Sequence, residues 1–145
     1  MSEMLFGDAA PAAPEADSRL LDAYVEIGRT LDDLPYTHDF ESLLERVGVG
    51  EEAAGRREVF RRLHNLRKAG KLPRLGRAES EPTLVEPNEE ELLVELVARE
   101  VGTLGQRDQL LYDPKFDLVV GRFNAETGRS LTPHTVWRLV AKLAK

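Results

Sequence analysis

Cysteine is absent from the 145-residue chain. That excludes disulfide cross-links and thiolate metal sites, and it fits a reducing compartment. Three histidines, His38, His64 and His134, are too scattered to read as a metal site. Long apolar runs are missing too. Nothing approaches the roughly 18 residues of a membrane span, and the N-terminus, MSEMLFGDAAPAAPEAD, has neither a basic n-region nor a long apolar run. A cytoplasmic protein without a membrane partner is expected. No nucleophile, base and orienting group can be assembled from the chain, so neither enzymatic chemistry nor a metal or cofactor is expected. Gly48-Val49-Gly50 lacks the later glycine and the Lys-Ser/Thr of a phosphate-binding loop.

What is present is charge, unevenly distributed. The formal net charge is −6, yet residues 56–77, RREVFRRLHNLRKAGKLPRLGR, hold nine Lys or Arg against the single acid Glu58. Residues 1–55 carry a net −10, residues 56–77 +8 and residues 78–145 −4. Such segregation suggests a basic surface aimed at a polyanion.

Residues 1–17, rich in Ala and Pro, read as a disordered tail. From Ser18, Leu20, Leu21, Tyr24, Ile27, Leu31 and Leu34 recur at helical spacing, predicting a helix to about Asp32 or Asp33. Thr37 is placed to cap a second helix carrying Phe40, Leu43, Leu44 and Val47, stopped at Gly48 and Gly50. A third, from Arg56 to Ala69, turns Val59, Phe60, Leu63 and Leu66 inward, with Gly70 as its stop. KLPRLGR, AESE and PTLVEP then suggest a short β-hairpin around a polar turn, within the limits set by Pro73 and Pro82. Asn88 with Glu91 reads as a capping box for a fourth helix ending near Gly102. Helices from Asp113-Pro114 to Gly128 and from Thr132-Pro133 onward complete the chain.

The sequence also repeats itself. Shifted by 76 residues, Leu34, Tyr36, Phe40, Leu43, Leu44, Arg46 and Val47 fall on Leu110, Tyr112, Phe116, Val119, Val120, Arg122 and Phe123. One extra residue brings Val59, Phe60, Arg61, Leu63 and Leu66 onto Val136, Trp137, Arg138, Val140 and Leu143. A mainly α fold of two tandem three-helix, helix-turn-helix-like units is expected: residues 18–87, with the hairpin as a candidate wing, and residues 88–145 packed on it.

Three helices with a cationic third one, followed by a glycine and a short hairpin, resemble the winged helix-turn-helix superfamily in residues 18–87. The resemblance implies a third helix in the major groove and wing cations on phosphates. Arg57, Arg61, Arg62, His64, Asn65, Arg67 and Lys68 on the helix, with Lys71, Arg74 and Arg77 beyond it, are then the nucleic-acid-binding candidates. His134, Arg138 and Lys142 on the last helix form a secondary set. The second unit has no wing, the connection VGVGEEAAG is long for a helix-turn-helix, and Glu79 and Glu81 sit on the wing tip.

The expected function is non-enzymatic nucleic-acid binding, DNA favoured over RNA, in the manner of a transcriptional regulator. The alternative is an adaptor whose basic helix docks an acidic segment of a protein partner, or an acidic part of its own chain. A homo-oligomer is compatible with either.

Overall fold

Capping chemistry decides where the helices start. The computed structural model describes residues 12–75 and 80–145, and among these the fold is mainly α. Helix α1 spans Ala12–Ile27, α2 His38–Arg46, α3 Ala53–Lys68, α4 Pro87–Val101, α5 Pro114–Thr127 and α6 Pro133–Leu143. Two 3₁₀ segments, Leu31–Asp33 and Leu104–Leu110, precede α2 and α5. No described helix is long and apolar enough to cross a membrane.

Three starts follow the sequence. The Thr37 hydroxyl accepts the Phe40 N–H at 3.2 Å, Asp113 accepts that of Lys115 at 2.9 Å, and Thr132 that of Thr135 at 3.2 Å. Pro114 and Pro133 occupy first helical positions, where a missing N–H costs nothing.

Elsewhere the structure departs from expectation. Residues 1–11 lie outside the described residues, but Ala12 to Asp17 already belong to α1 rather than to a tail. Pro14 is tolerated there because the first turn has no hydrogen bond for it to break. Helix α1 also ends at Ile27, since Gly28 turns left-handed at φ 75°; the apolar period runs on only because Leu31 and Leu34 are buried beyond it. Helix α3 starts at Ala53, three residues before the cationic run. Helix α4 is boxed by Glu86 and Glu89 around Pro87, not by Asn88 and Glu91. Glu89 accepts the Glu86 N–H at 2.8 Å and two N–H groups of Arg129 at 2.7 and 2.9 Å, clamping the start of α4 to the second residue after α5.

The expected hairpin wing has no strand among the described residues; of its expected turn, residues 78–81, only Ser80 and Glu81 are among them. The flanking backbone bonds instead to the helical body. The Ser80 N–H donates to Asp33 at 3.1 Å, and the Glu81 carbonyl accepts Arg138 at 2.7 Å. Pro73 and Pro82 have no N–H to give to a ladder.

One continuous apolar cluster holds these elements together, drawing side chains from both stretches of the chain. Trp137 is fully buried, with Phe60 of α3 edge-on at 5.5 Å and Phe116 of α5 at 6.0 Å. Cutting such a residue to alanine costs about 3–5 kcal/mol. At the turns into α2 and α5, Tyr36 and Tyr112 both adopt positive φ, 66° and 58°, and their rings stack at 4.4 Å.

Candidate functional site

The amphipathic pattern of α3 sends Val59, Phe60, Leu63 and Leu66 into the core as expected, so its cations face outward. Most of them do not face solvent alone. Arg57 donates to the Leu111 carbonyl at 3.1 Å and lies 3.8 Å from Asp113. Arg61 reaches Asp108 at 3.3 Å and Glu58 at 2.9 Å, Arg62 meets Asp17 at 2.9 Å, and Arg67 meets Asp32 at 3.1 Å. Arg56, outside the candidate set, pairs with Glu41 at 2.7 Å and covers the Tyr112 ring at 4.8 Å.

The first part of the cationic run, Arg56 to Arg67, is therefore neutralised tertiarily, by acids from α1, α2 and the segments before α2 and α5. Counting acids within the helix misses this, because the partners are supplied by other elements. His64 is half-buried beside Phe60, 6.0 Å away. Burial, reinforced by the nearby charges of Arg107, Arg67 and Lys68, lowers its pKa below the ordinary value.

The second half of the set behaves differently. Asn65, Lys68, Lys71 and Arg74 are exposed, and Arg77 lies outside the described residues. Arg74 lines a cleft of about 860 Å³ together with Arg67, Leu72, Pro73, Leu75, Pro82 and Thr83. Arg138 and Lys142 of the last helix, with Lys145 just beyond it, line the same cleft. Two candidate sets that are far apart in sequence thus share one site, with Tyr24, Leu31 and Leu139 adding apolar lining. Its volume falls in the range of ligand-binding pockets, about 300–1,000 Å³.

Two aspartates that sequence reasoning left unassigned organise the cleft. Asp33 is only 1% exposed, and a carboxylate so placed needs several partners. It accepts Arg29 Nε at 3.0 Å, the Ser80 N–H at 3.1 Å and His134 at 2.8 Å, with Arg138 Nε 3.1 Å away. Burial alone would raise its pKa. The hydrogen bonds from Ser80 and His134 and the charge of Arg29 outweigh burial and hold the carboxyl below its ordinary value. His134 and Arg138, secondary candidates for nucleic acid, are thus occupied in holding residues 80–81 against the body. Asp32 links Arg67 of α3 to Lys145 after α6, 3.1 and 3.7 Å away.

No family model, no curated protein and no solved structure matches this chain. The chemistry of the site must stand on its own residues. It can attract a negatively charged group at its rim while offering apolar surface beside it. The Asp32 and Asp33 signal was present in sequence as an acidic pair just before the Leu34–Tyr36 turn, but spacing alone does not say which cations it meets.

Proposed function

We propose that this protein is a non-enzymatic adaptor that captures an acidic segment of a protein partner in the cleft between α3 and α6. The observation that carries this reading is the convergence on one cleft of Arg67, Arg74, Arg138, Lys142 and Lys145 with Leu72, Leu75 and Leu139. Charge at a rim steers and selects, while apolar surface supplies affinity. Insertion of α3 into a DNA groove is less favoured, because Arg57 and Arg61 are engaged by the stretch 108–113 of the same chain.

A second reading, phosphate contacts to duplex DNA, is favoured by one observation. Lys68, Lys71 and Arg74 are exposed, and they have no ion pair among the described residues. Fluorescence anisotropy of labelled acidic peptides and of a labelled duplex, with wild type and a Lys68→Glu/Lys71→Glu/Lys142→Glu variant, separates the two. The adaptor reading expects peptide binding that the variant loses at unchanged thermal stability. Duplex binding without peptide binding, with a log-log salt slope of about −0.9 per phosphate contact, would replace it.

We further propose that residues 18–87 and 88–145 descend from one three-helix unit of helix-turn-helix type, the first with no paired wing among the described residues. Support comes from Tyr36 and Tyr112, which share a left-handed turn, a following helix cap at Thr37 and Asp113, and mutual hydrogen bonds.

A further inference from the structure

We propose that the cleft takes its partner as an extended strand in which acidic residues alternate with apolar ones; this rests on the adaptor reading of the same cleft. Arg138, Lys142 and Lys145 all line it; a spacing of four residues puts Arg138 and Lys142 on one face of α6, and Lys145 lies two residues beyond the helix end at Leu143. At about 1.5 Å per residue, Arg138 and Lys142 succeed one another at about 6 Å along the axis. Same-face side chains of an extended chain recur every second residue, about 6.6 Å apart. Carboxylates at alternate positions of a strand laid along α6 therefore meet successive cations.

The intervening side chains of such a strand point the other way. The cleft provides for them with Leu72 and Leu75, which pack against the core while still lining the cavity. A helical ligand with acids every fourth residue would match the cations equally well, but only an extended one can also pair along the backbone of residues 72–75, which makes no backbone hydrogen bond among the described residues. Lys142 is the first anchor, since Arg138 and Lys145 are partly engaged by Asp33 and Asp32, whereas Lys142 is exposed.

The test uses the full chain and four fluorescein-labelled probes in anisotropy titrations. They are a peptide of alternating Glu and Val, a block peptide of the same composition, an alanine-based helical peptide with Glu at every fourth residue, and a duplex oligonucleotide. The alternating peptide is expected to bind about tenfold more tightly than the block peptide. Lys142→Glu should abolish that binding and Leu72→Ser should weaken it, both with unchanged circular dichroism. Equal affinity for the block peptide overturns the alternating strand while leaving acidic capture intact, and preference for the helical peptide overturns it in favour of a helix. Binding of the duplex alone overturns it together with the adaptor reading. A dimer of the unliganded chain that Lys142→Glu dissociates overturns it by assigning the cleft to a second copy.

Discussion

The hydroxyl of Tyr36 accepts the backbone N–H of Tyr112 at 2.7 Å, and the hydroxyl of Tyr112 accepts the N–H of Tyr36 at 2.6 Å. Each side chain thus satisfies an amide that the other's left-handed turn leaves outside any helix. Replacing either tyrosine by phenylalanine strands one part-buried N–H, and each variant should lose about 1–3 kcal/mol in chemical denaturation. A loss below about 0.5 kcal/mol would mean that water replaces the hydroxyl and that the pairing is incidental.

The same burial raises both phenols well above the ordinary 10.0, and Tyr24 is raised by burial as well. A group whose folded pKa is raised contributes stability below its unfolded value and withdraws it at higher pH. Stability should therefore be level up to about pH 10 and fall beyond it. Tyrosinate absorbance should appear together with loss of helical circular dichroism. A gradual ionisation near pH 10 in the folded state would contradict the buried pair.

Asp33→Ala removes the acceptor shared by Arg29, Ser80, His134 and Arg138. The expected loss is about 3 kcal/mol, at the lower end for breaking a buried charge pair, because Arg29 and Arg138 keep some contact with water. Residues 80–83 should also become readily cleaved in limited proteolysis. Unchanged cleavage would show that Arg138 and the Glu81 carbonyl suffice to hold that segment.

His64 has a depressed pKa, so its neutral form stabilises the fold. That contribution is complete above the unfolded value near 6.5 and is lost as pH falls through the lower folded value. Proton NMR of the His64 ring should give a midpoint below that of a denatured reference. His64→Leu should flatten stability between about pH 6.5 and 5. A midpoint at or above the reference would place the ring in water.

The helical elements were legible because their signals are local. Thr37, Asp113-Pro114 and Thr132-Pro133 announce starts, and the stripes Val59, Phe60, Leu63, Leu66 and Phe116, Val119, Val120, Phe123 are buried as their spacing requires. The cap of α4 falls two residues before the expected one, because Asn88 outranks Glu86 as a capping type while Pro87 fixes the first helical position. The site was legible only in part. The composition of residues 56–77 marks a cationic surface, but whether Arg57 meets solvent or the Leu111 carbonyl depends on a contact 54 residues away. No strand of the wing forms among the described residues, for a similar reason: Ser80 and Glu81 bond to Asp33 and Arg138, partners that no turn propensity contains.

Trp137 is the chain's single tryptophan, and it stands between an aromatic ring of α3 and one of α5. The molecule therefore carries its one indole at the seam where its two stretches join. Loosening of either side alters its surroundings, so emission from this one indole follows cohesion between them without any added label.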